Sequence, residues 1–333
     1  MKIQRREVLL GALAAGISAA SNAQTGASPK ERPLPTAFAD PVELIDLWPQ
    51  GVPGMPENPP EERVVERSKD PKVIDRHIQG ITRPHMVVFR PQLSNGAAVM
   101  IMPGGGYKWV VVDKEGYEVG RWLAERGYTV FALFYRLPGD GWAAGPNVAL
   151  SDAQRAMRII RHRAGDYGID PQRVAAMGFS AGGHVCADLA TRFATPTYDA
   201  GDEADALSAR PLLAAPIYPV MSMTLPIAHE VSREMLIGKD ASAELERAHS
   251  PQYNVSADTP PCFLVHAEDD MSVVVENTLV FRAALREQGI PVETHLFTHG
   301  GHGFSLRFTI GKPVSIWPEL FVRWSQSMGL IQE

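Results

Sequence analysis

From residue 85 onward, short apolar segments alternate with longer amphipathic ones, and this alternation limits the fold more than any other feature of the chain. The apolar segments have the length and the Val, Ile and Phe content of β-strands, and the segments between them repeat apolar residues at helical spacing. In the segment 148–163, for example, Ala149, Ala153, Ala156 and Ile160 share one face. Strands that alternate with helices form a mainly parallel sheet with helices on both faces. The predicted fold class is therefore α/β.

The predicted strands cover residues 85–90, 97–102, 128–134, 173–177, 212–218, 261–267 and 292–297, and the predicted helices cover 115–126, 148–163, 181–193, 273–288 and 317–328. The 45% hydrophobic content of the 333 residues is enough for one large core, so residues 84–333 are predicted to form a single domain. An insertion at about 219–258 interrupts the alternation. Ligands of such sheets bind beyond the carboxyl ends of the strands, so the residues after each strand are the candidates for a site.

Two segments precede this domain. Residues 1–23 combine the pair Arg5-Arg6, an apolar run rich in Ala and Gly, and small residues at positions suited to cleavage. This pattern indicates an export signal similar to a twin-arginine signal, which predicts a periplasmic or secreted protein with no stable membrane anchor after cleavage. Residues 24–83 are rich in proline and charge and are predicted to form an irregular N-terminal arm.

Charge and histidine spacing exclude several classes of partner. The formal net charge is -6 and no Lys/Arg-rich run follows residue 6, so neither nucleic acid nor an anionic membrane is a predicted partner. No pair of histidines shows metal-ligand spacing with a carboxylate, so no metal and no cofactor are predicted. The sequence assigns no oligomeric state.

A serine lies among glycines directly after one predicted strand, in the stretch Gly178-Phe179-Ser180-Ala181-Gly182, with a predicted helix behind it. This G-x-S-x-G pattern is typical of a nucleophile on a sharp strand-to-helix turn, where a strained backbone and close neighbours leave room only for glycine on either side. A serine that merely caps the helix is the alternative. The loops after the later strands decide between the two.

Those loops supply an acid and a base. Three consecutive carboxylates, residues 268–270, follow the strand 261–267, and the stretch 299–304, HGGHGF, follows the last strand. A serine hydroxyl is a poor nucleophile unless a base takes its proton and a carboxylate orients that base. The chain order of serine, acid and histidine is the order of α/β-hydrolases.

Within these loops, one acid and one histidine are the better candidates. His302 has glycine on both sides, which lets the loop turn its ring toward the serine, whereas His299 is closer to the strand end and is predicted to be structural. Asp270 is the preferred acid because it stands three residues before Val273, where the next helix is predicted, and Asp269 is the second choice.

A fourth loop, residues 103–107 with the sequence PGGGY, follows the strand 97–102. Its glycines permit backbone N–H groups to face a developing oxyanion, and the N–H of Ala181 would join them at the start of a helix. A phosphate-binding loop is the rival interpretation, but neither of the usual glycine motifs for phosphate is matched.

Together these motifs resemble the α/β-hydrolase superfamily, and in particular hormone-sensitive-lipase-like esterases and bacterial acetylxylan-esterase-like carbohydrate esterases. The segments that carry the resemblance are LIDLWPQGVPG, MPGGGY, FYRLP, ALSDAQRAMRIIR, GIDPQRVAAMGFSAGGH, PPCFLVHAEDDMSVVVEN and HGGHGF. The resemblance implies that the nucleophile, acid and base are Ser180, Asp270 and His302 and that the oxyanion donors are Gly105, Gly106 and Ala181. One departure is Pro103, which stands where hormone-sensitive-lipase-like members have histidine.

The predicted function is a serine esterase that removes acetyl groups from plant polysaccharide or oligosaccharide through an acyl-enzyme. Alternatives are a feruloyl or general short-chain carboxylesterase, a serine peptidase and a binding protein that has lost its chemistry. Tyr107 and Trp109 are candidate substrate contacts because aromatic rings stack on sugars and aromatic acyl groups. The insertion at 219–258 is a candidate wall of the pocket, with a merely packed excursion as the alternative.

Overall fold

The computed structural model describes residues 40–331 of the chain. The predicted export signal, residues 1–23, and the part of the predicted arm up to residue 39 lie outside the described residues. Between residues 40 and 331, no helix is long and apolar enough to cross a lipid bilayer.

The strands and helices have the following bounds. The strands are β1 (Leu44–Asp46), β2 (Arg63–Glu66), β3 (Arg76–Gln79), β4 (His85–Phe89), β5 (Ala98–Met102), β6 (Val110–Val111), β7 (Thr129–Phe134), β8 (Val174–Phe179), β9 (Ala214–Ile217), β10 (Cys262–Ala267) and β11 (Val292–Phe297). The helices are α1 (Glu118–Ala124), α2 (Val148–His162), α3 (Ala164–Tyr167), α4 (Ala181–Arg192), α5 (Glu230–Ile237), α6 (Ala243–Ala248), α7 (Glu276–Glu287) and α8 (Trp317–Ser327). A π-helical turn, Asp113–Tyr117, leads directly into α1.

Eight strands form one sheet in the order β1-β4-β7-β5-β8-β9-β10-β11. The pairs β1/β4 and β4/β7 are antiparallel, and the strands from β7 to β11 run parallel. Every residue of β5, β7, β8 and β10 is buried, which explains why these strands read as continuous apolar runs. Helix α4 packs on α2 and contacts β8 and β9, while α1 contacts β7 and α8 contacts β10.

The described part of the predicted irregular arm contains three short strands, a difference from the prediction. β1 adds an antiparallel edge strand to the main sheet and buries Ile45, while β3 pairs with both β2 and β6 in a separate three-stranded sheet. Each of these strands has three or four residues, and β2 is fully exposed. Such segments show no apolar alternation, and the strand that completes their sheet, β6, lies far along the chain.

The parallel arrangement brings four loops to one edge of the sheet. They follow β5, β8, β10 and β11, and they include the glycine loop, Ser180, the three carboxylates and His302. The segment between β9 and β10, which includes the predicted insertion, contains α5 and α6 and leaves the sheet at the same edge. The candidate site is therefore built from the loops at the carboxyl ends of the parallel strands.

Candidate active site

Ser180 occupies the sharp turn between β8 and α4, with a φ of 54° and a ψ of -119°. Glycine is required on both sides of it because the backbone approaches too closely for a side chain. A Cβ atom at Gly178 would lie 2.1 Å from the carbonyl oxygen of Gly182, and one at Gly182 would lie 2.0 Å from that of Met102. The strained turn holds the Ser180 hydroxyl at the edge of the sheet.

Ser180, His302 and Asp270 form a continuous hydrogen-bonded chain. The Ser180 Oγ lies 2.8 Å from His302 Nε2, and His302 Nδ1 lies 2.7 Å from Asp270 Oδ2. Because an ionised carboxylate only accepts hydrogen bonds, Nδ1 carries the ring proton and Nε2 is free to accept the proton of the serine. The three side chains therefore have the relation of nucleophile, base and orienting acid.

The surroundings of Asp270 keep its carboxylate ionised. Its Oδ1 accepts from the backbone N–H groups of Ser272 and Val273, each at 2.9 Å, and its Oδ2 lies 3.2 Å from Nε2 of the fully buried His266. Burial raises the pKa of Asp270, but the hydrogen bonds from His266 and His302 outweigh it and hold that pKa well below its usual range. Asp270 can therefore stabilise a positive charge on His302.

Asp269, the neighbouring carboxylate, supports the histidine loop. Its Oδ1 accepts from the N–H of Gly300 at 2.8 Å and from the N–H of Gly301 at 2.7 Å, while its Oδ2 lies 3.3 Å from His299 Nδ1. These backbone hydrogen bonds and the contact with His299 lower the pKa of Asp269. The two adjacent carboxylates thus serve two purposes, since Asp270 contacts the His302 ring and Asp269 holds the backbone before it.

The glycine loop leaves backbone donors open beside Ser180. Gly105 has a φ of 139° and Gly106 a φ of 65°, and a Cβ atom at Gly105 would lie 2.0 Å from the carbonyl oxygen of Trp109. In the part of the chain that the structure describes, the N–H groups of Gly105, Gly106 and Ala181 have no hydrogen-bond acceptor. These three groups, predicted as oxyanion donors, are available to bind a negatively charged oxygen.

Two buried side chains fix this loop from behind. Glu115, in the π-helical turn, accepts from the N–H of Gly104 at 2.8 Å and from the hydroxyl of Tyr218 at 3.1 Å. The hydroxyl of the buried Tyr135 donates to the carbonyl oxygen of Pro103 at 2.7 Å. The N–H of Gly104 therefore donates to Glu115 and is not open to a substrate. The backbone at Pro103 is held by the hydroxyl of Tyr135.

The two aromatic residues predicted as substrate contacts lie in different surroundings. Tyr107 is 2% exposed and its hydroxyl donates to His184 Nδ1 at 2.7 Å, while His184 Nε2 donates to the carbonyl oxygen of His249 at 2.8 Å. Its ring therefore supports α4 instead of lining the surface. Trp109 is partly exposed and stacks on His77 with ring centroids 4.6 Å apart.

Several residues whose supporting role the sequence did not predict belong to this site. Glu115 and Tyr135 hold the glycine loop, Asp269 holds the histidine loop, and His229 of the insertion lies beside Gly106. Asp269 was the second choice for the acid and His229 lies in the insertion predicted as a candidate pocket wall, whereas Glu115 and Tyr135 had no sequence signal. Among residues 40–331, no group of three His, Cys, Asp or Glu side chains is placed to hold a metal ion.

Comparison with known proteins identifies the family. Residues 87–285, more than half of the chain, match the family described as BD-FAE. The chain belongs to this family. This BD-FAE chain is 33% identical to an acetyl ester-xyloside bifunctional hydrolase from Caldicellulosiruptor lactoaceticus, whose crystal structure matches with a TM-score of 0.70 over 87% of this chain and 97% of that one. This likeness confirms the predicted α/β-hydrolase fold and the resemblance to carbohydrate esterases.

Two further relatives are longer than the BD-FAE chain. An acetylxylan esterase of Xylanibacter ruminicola is 32% identical over 67% of this chain and 44% of its own length. The endo-1,4-beta-xylanase B of Butyrivibrio fibrisolvens is 35% identical over 62% of this chain and 32% of its own length. The BD-FAE chain therefore spans less than half the length of either relative.

Proposed function

We propose that the protein is a serine esterase that removes acetyl groups from xylan-derived polysaccharide or oligosaccharide. The observation that carries this proposal is the hydrogen-bonded chain of Ser180, His302 and Asp270 beside three open backbone N–H groups. Nucleophile, base, acid and oxyanion donors are the parts that acyl transfer requires.

The reaction would run in two halves. Ser180 Oγ attacks the ester carbonyl carbon while His302 takes its proton, and the resulting oxyanion accepts hydrogen bonds from the open N–H groups. The bond to the alcohol then breaks, His302 gives the proton to the leaving oxygen, and an acetyl-enzyme remains. Water, deprotonated by His302, attacks this ester, acetate leaves and Ser180 regains its proton. Each oxyanion donor is worth about 3 to 4 kcal/mol of barrier.

The relatives favour an acetylated sugar as the substrate. The bacterial hydrolase that shares the fold over most of its length is described as acting on acetyl esters and xylosides, and one relative is an acetylxylan esterase. A general short-chain carboxylesterase is the second candidate, because a relative from Pseudomonas putida that is 35% identical over 38% of this chain is an ethyl acetate hydrolase.

We further propose that the protein is exported, on the basis of the arginine pair and the apolar run in residues 1–23. Cell fractionation and N-terminal sequencing of the mature protein test this directly. A protein that keeps residues 1–23 and stays in the cytoplasm contradicts it.

Acetate release from acetylated xylo-oligosaccharides tests the proposed activity, with p-nitrophenyl acetate as a second substrate. The wild type is expected to release acetate from both, and Ser180→Ala and His302→Ala to release none from either while unfolding at the wild-type temperature. Activity on the synthetic ester alone favours the general carboxylesterase, and full activity in either variant refutes the proposed mechanism.

A further inference from the structure

His229, in the segment between β9 and β10, presents an unused hydrogen-bond donor beside the catalytic loops. It precedes α5 as its N-cap residue, and its Nδ1 accepts from the backbone N–H of Ser232 at 3.3 Å and lies 2.8 Å from the hydroxyl of Ser232. A neutral ring that accepts at Nδ1 carries its proton at Nε2. Within residues 40–331, no protein group is bonded to this Nε2–H.

The ring lies close to both the oxyanion loop and the triad. A methyl group built on Gly106 would lie 3.8 Å from His229 Cε1 and 3.6 Å from Val231 Cγ1. Burial lowers the pKa of His229, and the charge of a protonated His302 lowers it further. The ring is therefore a neutral donor at neutral pH, and it can donate to a hydroxyl group without carrying a charge into the site.

His229 also lines a small cavity between the insertion and the loop that carries the acid, Asp270. The cavity has a volume of about 340 Å³, is open to solvent, and lies between the segment 226–231 and two residues of the acid loop, Ser272 and Val274. This volume is near the lower end of the range for small-molecule sites. Because His302 protonates the leaving oxygen, the alcohol part of an ester must lie near His302, whose partner Asp270 belongs to the loop that borders this cavity.

We propose that His229 is a positioning residue that donates a hydrogen bond from Nε2 to a hydroxyl of the sugar whose ester is cleaved, with this cavity as the subsite for that sugar. The proposal rests on the proposed function and names how the same site selects an acetylated sugar over a simple alcohol. A neutral donor in the wall of a small, partly apolar cavity matches a sugar ring, which combines an apolar face with hydroxyl groups.

Two substitutions of His229 test the roles of its two ring nitrogens one at a time. Asn places its amide oxygen near the position of Nδ1 and can still cap α5, so His229→Asn removes only the Nε2 donor. Gln reaches the position of Nε2, so His229→Gln retains a donor toward the cavity and loses the cap. His295→Asn is the matched control, because His295 lies on the edge strand β11 and pairs with Glu293.

The experiment measures kcat and KM of the full-length variants for acetylated xylo-oligosaccharides and for p-nitrophenyl acetate. His229→Asn is expected to raise KM for the oligosaccharide about 2- to 12-fold, the effect of one neutral hydrogen bond. Its kcat/KM should fall less for p-nitrophenyl acetate than for the oligosaccharide, because the synthetic ester has no sugar hydroxyl to accept from Nε2. His229→Gln should keep most of the affinity for the oligosaccharide, and His295→Asn should match the wild type on both substrates.

Three results would overturn the proposal. An unchanged KM of His229→Asn for the oligosaccharide shows that Nε2 binds no sugar hydroxyl. Equal losses on both substrates show that His229 acts on the catalytic loops in general. A changed preference between p-nitrophenyl acetate and butyrate places the acyl group in the cavity instead. Failure of the proposed function is distinct, since the wild type itself would then release no acetate from the oligosaccharide.

Discussion

Asn substitutions at Asp269 and Asp270 test whether Asp270 is the catalytic acid and Asp269 supports the histidine loop. In Asp270→Asn, the amide oxygen must face the N–H groups of Ser272 and Val273, which both donate to Oδ1. The amide NH₂ group is then forced toward His302, where a carboxylate oxygen lies 2.7 Å from Nδ1. Because NH₂ only donates, His302 must move its proton to Nε2 and can no longer accept the proton of the serine.

This reversal of the histidine tautomer predicts a large loss. A triad acid replaced by its amide lowers kcat by about 10⁴-fold when the geometry is otherwise kept. Asp269→Asn should cost less than about threefold, because both Gly300 and Gly301 donate to the same oxygen, Oδ1, which an Asn oxygen can replace. Asp269→Ala removes both bonds, and at an exposed site this costs about 1 to 2 kcal/mol, or about 5- to 30-fold if all of it appears in the transition state.

The assay is kcat/KM for p-nitrophenyl acetate with all three variants and the wild type, together with thermal unfolding to show that each variant is folded. The expected order of activity is wild type, Asp269→Asn, Asp269→Ala and finally Asp270→Asn. If Asp269→Asn is as damaging as Asp270→Asn, or if Asp270→Asn keeps more than a tenth of the activity, the assignment of the acid is refuted.

Three further predictions concern the support of the site. Glu115→Ala leaves the N–H of Gly104 buried without its acceptor, so it should lower both kcat and the unfolding temperature. Glu115→Gln retains an acceptor oxygen and should lose less of both. Equal losses in the two variants would contradict this role. Gly105→Ala should lower kcat/KM by about 100-fold or more because its Cβ would lie 2.0 Å from the carbonyl oxygen of Trp109. A Cβ at Gly106 would lie 3.6 Å from its nearest neighbour, Val231 Cγ1, so Gly106→Ala should lose less in the same assay. Burial lowers the pKa of His249 from 6.5 to about 4, so as pH falls from 6.5 to 4 the unfolded chain binds a proton that the folded chain does not. The wild type should therefore lose about 3 kcal/mol more stability than His249→Leu over this range, and denaturant unfolding curves that run parallel for the two proteins would disprove it.

The sequence predicted the parts of the structure that depend on local patterns. The buried strands around Ser180 are long apolar runs, and helices such as α2 and α4 carry a clear apolar face, so their bounds agree with the predictions within about two residues. The position of Ser180, Asp270 and His302 follows from topology, because each lies in the loop or turn at the carboxyl end of a parallel strand. These inferences need only residues that are close together in the chain.

The remaining features depend on contacts between distant segments. Glu115 was read as the start of a helix, and nothing nearby indicates that its carboxylate meets the N–H of Gly104. His229 stands in a segment without periodicity, and its position beside Gly106 depends on how α5 packs. Tyr107 follows the glycine loop and was a candidate to face a ligand, but its hydroxyl reaches His184 on α4. Only three-dimensional packing decides these cases.

The backbone conformation that positions the Ser180 hydroxyl also lowers the thermal stability of the protein. Its φ of 54° with a ψ of -119° is a conformation that glycine adopts freely and that costs any other residue about 1 to 3 kcal/mol. Ser180→Ala removes the nucleophile and retains this strain, whereas Ser180→Gly removes both. The glycine variant is therefore expected to melt above the alanine variant by up to a few degrees, although both are inactive. The greater freedom of glycine in the unfolded chain offsets part of the gain, so the difference is a lower bound on the stability that the protein gives up to hold Ser180 in place.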